Sequence, residues 1–403
     1  MNKKKIVNDP VYGFITIPGD FLFDLLEHRY FQRLRRIRQL GLSDYVYPGA
    51  VHTRFHHALG AMHLTCKAIE VLRQKGIEIT GAEAEAVSAA ILLHDIGHGP
   101  FSHTLEHSIF RGVPHEQLSQ LFMEKLNKEF KGKLDLTLKI FQNKYKKKFL
   151  HQLISSQLDM DRLDYLSRDS FFTGVSEGIV ASERIINMLY VAKGELVIEE
   201  KGIYSIEKFI IARRLMYWQV YLHKTVIASE VLLTAILKRA KEIAMSGGEL
   251  FTTPALGFFL ENDLTSDKIS WSILETFSKL DDSDVWASVK AWQDHEDRIL
   301  SLLSKNLIDR KLSKMMLSDK PFSKAQLKQC RESTIKALKL SEKEADFFVH
   351  TGSVENNAYK MEGIRINVIK KDGTVVDVAK ASDNYNLTAL EKTVKKYYIS
   401  YYR

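Results

Sequence analysis

Apolar side chains recur at steps of three and four from Phe21 to Leu40. Leu22, Leu25, Leu26, Tyr30, Leu34 and Ile37 form the stripe, with Arg33, Arg35, Arg36 and Arg38 between them, which predicts an amphipathic helix. Gly41 ends it, and the stretch 45–55, YVYPGAVHTRF, reads as a loop. Ahead of it, residues 10–19 mix β-branched and turn residues and predict a short extended lead-in. Helices are expected over 56–75 and 82–96, with Gly76 marking the boundary, and again over 115–131 and 136–169.

Further along, ELVIEEKGIYSI at 195–206 alternates apolar and polar positions on both sides of Lys201-Gly202 and predicts a hairpin. A long helix is expected from Glu207 to Met245, closed by Gly247-Gly248, and then three or four shorter helices over 265–350. The segment 363–382 predicts a second hairpin around Asp372-Gly373, and a helix rich in Tyr and Lys is expected over 387–402. No repeat or low-complexity tract interrupts the pattern. The expectation is a mainly α protein with small β-hairpins, divided into a helical domain over 1–260 and a smaller α+β lobe over 261–403.

Composition adds constraints. With 403 residues, 45% hydrophobic and 27% charged, the chain has the balance of a soluble globular protein with a sizeable core. A net charge of +8 points to an anionic partner such as a nucleotide, a phosphorylated metabolite or, more weakly bound, nucleic acid. The lysine cluster Lys144, Lys146, Lys147 and Lys148 reads as a solvated helix face. Only Cys66 and Cys330 are present, which implies neither a disulfide framework nor a cysteine-based zinc site and suits a reducing cytoplasm. The basic N-terminus lacks a following apolar core, and no apolar run approaches the roughly 20 residues that span a bilayer. A cytoplasmic protein without membrane insertion is expected.

The chemistry concentrates on residues 91–103, ILLHDIGHGPFSH. An apolar helical run delivers His94 and Asp95 side by side before Gly97, Gly99 and Pro100 break the helix. His57 opens another helix after a loop, with Arg54 three residues earlier as a phosphate clamp. In DMDRLDYLSRD (159–169), Asp161, Asp164, Tyr165 and Arg168 share one helix face, and so many carboxylates need neutralising, by Arg162 and Arg168 or by a cation. His57, His94, Asp95 and Asp161 together offer two imidazoles and two carboxylates from three helices. That donor set suits one divalent ion (Mn, Fe, Ni, Zn or Mg) with positions left for water and a phosphate. A metal-assisted hydrolase also protonates its leaving oxygen, for which His115 and His103 qualify, with Glu106 one turn from His103 and His115 preferred.

These segments, RIRQLGLSDYVYPGAVHTRFHHALG, HDIGHGPFSH, HEQ and DMDRLDYLSRD, closely resemble the HD-domain phosphohydrolases, in the branch of deoxynucleoside triphosphate triphosphohydrolases. The resemblance runs over about residues 10–240 in order and spacing, and implies the helical HD-domain core. It implies metal ligands at His57, His94, Asp95 and Asp161, a catalytic acid at His115 supported by Glu106, and His98 and His103 lining the phosphate cavity. It further implies phosphate contacts at Arg54, Arg162, Tyr165 and Arg213, and sugar or base contacts at Gln39, Leu40, Asp169 and Tyr221, with Tyr221 part of a gate against ribose. Leu222 departs from members that carry a polar side chain there. A homo-oligomer, dimer or tetramer, is implied as well.

The resulting expectation is metal-dependent hydrolysis of deoxynucleoside triphosphates to deoxynucleoside and inorganic triphosphate. Hydrolysis of another nucleotide or phosphate ester is the close alternative. A non-catalytic nucleotide or nucleic-acid binding module is the distant one, and it would be marked by loss of a ligand residue. The Gly-Tyr-Pro signature of cyclic dinucleotide phosphodiesterases is absent.

Overall fold

The computed structural model describes residues 5–101, 112–264, 269–356, 359, 365–383 and 393–403. His103 and Glu106 lie outside the described residues. Three helices set the centre: Arg54–Gln74, Gly81–Leu93 and Met160–Thr173. The second is apolar nearly all round, and Val87, Ala89, Ala90, Ile91, Leu92 and Leu93 are fully buried in it, as a helix enclosed by neighbours requires. Thr80 and Glu83 start it with a reciprocal capping box, the Thr80 hydroxyl accepting from Glu83 N at 3.1 Å and the Glu83 carboxylate from Thr80 N at 2.8 Å. Asp159 caps the third by accepting from Arg162 N at 2.7 Å, and Gly174, at φ 73°, ends it.

The small sheets lie around this core. Lys5–Asp9 pairs antiparallel with Gly13–Ile17, so the extended lead-in is half of a hairpin. The expected hairpin around Asp372-Gly373 forms from Asn367–Ile369 and Val375–Asp377, and its first strand runs parallel to Glu195–Glu199. Among the described residues no single helix is long and apolar enough to cross a membrane. The bent pair Glu200–Tyr221 and Lys224–Met245 passes by length and composition only.

Several elements differ from the sequence expectation. The stripe of 21–40 is cut into Asp20–Glu27, Arg29–Gln32 and a 3-10 turn Arg33–Arg36, because His28 turns extended and its Nδ1 accepts from Tyr30 N at 3.3 Å, starting a new helix. Apolar spacing survives such a break, so periodicity alone cannot see it. The stretch 136–169 is three pieces, Asp135–Phe141, Lys148–Gln152 and the helix from Met160. The hairpin expected at 195–206 is displaced: Leu189–Ala192 pairs with Glu195–Glu199 across Lys193-Gly194. Both turn residues have positive φ (54° and 80°), the geometry that matches strand twist, whereas Lys201-Gly202 sits in a 3-10 turn leading into the helix Ile203–Met216.

The helix expected from Glu207 to Met245 is interrupted by a π turn, Tyr217–Tyr221, before Lys224–Met245. Leu222 N donates to Tyr217 O at 2.7 Å, and the widened turn aims Tyr217 and Tyr221 into a cleft. The region 265–350 holds the expected short helices plus a strand, Lys314–Ser318. Finally, the last element is a strand, Val394–Tyr401, where a helix was expected over 387–402; residues 387–392 of that span lie outside the described residues. Its β-branched and aromatic side chains fill the centre of a sheet between Lys314–Ser318 and His350–Asn356, a pairing over distant sequence that overrides local helical character.

Candidate metal centre and cleft

Each histidine of the candidate centre is held by one nitrogen and leaves the other aimed at a common point. His57 Nδ1 pairs with Asp164 Oδ2 at 2.7 Å, and His94 Nδ1 pairs with Ile91 O at 2.6 Å. A carbonyl can only accept, so the His94 proton is on Nδ1, and a carboxylate partner places it there in His57 too. Both Nε2 atoms are buried without a hydrogen-bond partner. Around them stand carboxylate oxygens. Asp161 Oδ1 is 3.1 Å from His57 Nε2 and 3.6 Å from His94 Nε2, while Asp95 lies 3.2 Å from His94 Nε2 and 3.8 Å from His57 Nε2.

This arrangement fits a divalent cation. Ligand atoms around an ion with bonds of about 2.1 Å stand about 3 to 3.5 Å apart. The separations from Asp161 to His57 and from Asp95 to His94, 3.1 and 3.2 Å, fall in that range, and the other two, 3.6 and 3.8 Å, lie just beyond it. Burial pushes the His57 imidazole down, but hydrogen bonds and charge from Asp161 and Asp164 outweigh it and hold it up at about 10. His94 is raised as well, burial being outweighed by Asp95 and Asp161. Asp95 is held well below the usual carboxylate range; burial opposes this, and it is outweighed by His94, Arg54 and a hydrogen bond from His98. The centre thus draws positive charge to two nitrogens that are otherwise unpaired.

Gly60 makes the backing of His57 possible. A Cβ there would stand 1.9 Å from Asp164 Oδ1 and 2.2 Å from Arg168 Nη2, so the helix face must be bare where the buried pair passes under it. Arg168 in turn reaches Asp164 at 3.0 Å and Asp9 of the N-terminal hairpin at 2.7 Å.

Beside the centre, His98, His115 and Asp95 bring ligating atoms within 4.8 Å of one another, and the two rings stack at 3.8 Å. Burial and then Arg54 push the His98 imidazole well down, so it is neutral. Gly97 lets its loop lie against the start of the helix His115–Glu129, where a Cβ would be 2.3 Å from His115 O. Arg33, fully buried, donates to the carbonyls of Ile96 and His98 at 2.8 Å each and of Leu280 at 3.0 Å.

A cleft of about 990 Å³ opens over the centre. Gln39, Leu40, Arg54, Arg162, Tyr165, Asp169 and Tyr221 line it together with Asp95, Asp161, His98 and His115. Neither His57, fully buried, nor His94, 11% exposed, is among the lining residues. Arg213 is not among the lining residues and stands 5.9 Å from the ring of Tyr217, which is. Arg54 pairs with Asp95 at 2.6 Å and Arg162 with Asp159 at 2.6 Å, so both guanidiniums are oriented along the floor. Leu222 presents an apolar side chain to the same cleft.

Sequence reading did not find His52, Arg33, Tyr217 or the backing role of Asp164. Only Asp164 left a trace, since it lies one turn after Asp161 on the same face.

The chain is also similar to known proteins. A family model described as HD domain matches residues 54–169, and one described as HD associated region matches residues 180–253. A crystal structure of a phosphohydrolase from Bacteroides thetaiotaomicron is similar over 100% of both chains, with a TM-score of 0.96 and 53% identity. The uncharacterized protein YwfO of Bacillus subtilis is 37% identical over 321 residues, 77% of this chain and 72% of that protein. The deoxynucleoside triphosphate triphosphohydrolase SAMHD1 homolog of Dictyostelium discoideum is 31% identical over 239 residues, 55% of this chain and 46% of that protein.

Proposed function

Because the chain belongs to the HD-domain phosphohydrolases, a family of metal-dependent hydrolases, we propose that it cleaves deoxynucleoside triphosphates into deoxynucleoside and inorganic triphosphate. The observation that carries this reading is the convergence of His57 Nε2, His94 Nε2 and Asp161, with Asp95 3.2 Å from His94 Nε2 and 3.8 Å from His57 Nε2, beside a cleft lined also by Gln39, Leu40, Tyr165 and Tyr221. The relatives named as deoxynucleoside triphosphate triphosphohydrolases support the choice of substrate.

His57, His94, Asp95 and Asp161 hold one divalent cation in this reading. A cation held there would supply polarisation of a phosphoryl oxygen and a water acidified toward neutrality. Arg54 and Arg162 hold the polyphosphate, which orients the α-phosphorus for attack by water and offsets its negative charge. Attack at the α-phosphorus breaks the bond to the 5′ oxygen, and His115 gives that oxygen its proton, so deoxynucleoside and intact triphosphate leave. His98, neutral and stacked on His115, keeps the donor ring in place. In this reading Tyr165 meets the phosphates, and Gln39, Leu40, Asp169 and Tyr221, which line the same cleft, face the sugar and base.

The test incubates purified protein with Mn²⁺ and a panel of nucleotides. Release of intact triphosphate from deoxynucleoside triphosphates is the expected result. Orthophosphate from nucleoside monophosphates alone would show that the site serves another ester.

A further inference from the structure

Three residues at the sugar end of the cleft, Gln39, Asp169 and Tyr221, are joined through a fourth, His52. Its Nε2 lies 2.8 Å from Asp169 Oδ1, and the Tyr221 hydroxyl donates to Asp169 Oδ2 at 2.8 Å. Its backbone carbonyl accepts from Gln39 N at 3.0 Å. The neighbouring backbone bond from Arg54 N to Ile37 O, 2.9 Å, makes a short ladder that fixes 37–39 against 52–54. The ring is itself immobilised. Its side chain is fully buried and lies flat on Phe172, with centroids 4.4 Å apart and 16° between planes.

His52 Nδ1 is buried without a hydrogen-bond partner, so a proton there would be unsatisfied and the single N–H must sit on Nε2, facing Asp169. Asp169 is 1% exposed and receives one donor on each oxygen. Burial and then Asp169 push the Tyr221 phenol well up, so it remains a donor. The tyrosine ring therefore stands where the carboxylate puts it, and the carboxylate stands where the imidazole puts it.

We propose that His52 is the positioning residue of the sugar subsite, holding Asp169 and through it Tyr221 at the spacing that admits a 2′-deoxyribose and crowds out a ribose. This rests on the reading of the cleft as a deoxynucleoside triphosphate site. His52 touches no substrate; it acts by keeping two groups that do from swinging.

The experiment compares H52F, which keeps the stack on Phe172 and loses the N–H, with H52Q, which keeps an N–H able to reach Asp169. H52N, too short to reach it, replaces H52F if that form does not fold. The readouts are kcat and KM for deoxyribo- and ribonucleoside triphosphates, bound metal, and the crystal structure of the variant. In H52F the deoxy-to-ribo ratio of kcat/KM should fall about tenfold or more, chiefly through KM for the deoxy substrate, with metal content unchanged. H52Q should stay within about threefold of the natural protein. An unchanged ratio in H52F, or an equal loss in H52Q, overturns the proposal. If the natural protein turns over no nucleoside triphosphate, the functional reading fails, and the structure still decides the positioning role. Tyr221 displaced from Asp169 upholds that role, and Tyr221 unmoved overturns it.

Discussion

His57 Nδ1 and Asp164 Oδ2 lie 2.7 Å apart with both side chains fully shielded from solvent, so the aspartate fixes the tautomer of a histidine whose other nitrogen faces the candidate metal centre. Asp161, one helical turn earlier, approaches that other nitrogen at 3.1 Å. One helix thus grips a single imidazole from both sides, once as backing and once at the centre.

Replacing Asp164 by Asn should weaken metal binding about 10- to 100-fold, because the amide neither sets the ring orientation as firmly nor raises its basicity. Competition with a fluorescent chelator measures it. Wild-type affinity in a folded variant would rule out the backing role.

Filling the bare helix face tests the same packing from the other side. Gly60→Ala gains about 1 kcal/mol of helix propensity but drives a methyl into Asp164 and Arg168, so a net loss of about 2 kcal/mol or more is expected. The midpoint of urea unfolding reports it, and a stabilised variant would contradict the close approach.

Removing the ion should also lower thermal stability. A cation present at 100 times its Kd adds about 2.7 kcal/mol to the folded state, which stripping with chelator takes away and titration with Mn²⁺ restores. Calorimetry of His94→Ala should show no such response, whatever its activity.

Acid stability is expected to depend on Glu83. Burial pushes this carboxyl up, but Lys147, Tyr145 and the backbone of Thr80 outweigh it and bring it from 4.5 down to about 2. A depressed carboxyl contributes stability that is complete above its ordinary value and is lost as pH falls toward the folded one, here between 4.5 and about 2. At about 1.4 kcal/mol per pH unit this amounts to roughly 3 kcal/mol at neutral pH. Glu83→Gln should flatten the acid limb of the stability profile over that interval, and parallel limbs would refute the assignment.

Arg33 ties three carbonyls from two distant segments, Ile96 and His98 on one side and Leu280 on the other. Arg33→Met leaves those buried acceptors unpaired, at about 1 to 3 kcal/mol each. Proteolysis near residues 96–98 should quicken in the variant before global unfolding does.

The sequence by itself determined the local parts of this protein. It placed the helices at 54–74 and 81–93 to within a few residues, with His57 on the first and His94 and Asp95 just past the end of the second, because helical periodicity and the position of a side chain on a turn depend only on near neighbours. Asp161 fell within a helix expected over 136–169, of which only the last piece, from Met160, carries it. It also showed the Asp372-Gly373 hairpin, whose turn chemistry is local. Tertiary structure decided the rest. The strand 394–401 exists because two partners far away in sequence flank it, and the π turn at 217–221 changes one helical register that no apolar pattern records. Which nitrogen of His57 faces the centre, and why His52 governs Asp169, follow from hydrogen bonds between residues 107 and 117 positions apart. Those bonds form only after the helices pack and exclude water, so no stretch of chain short enough to show a pattern contains both partners.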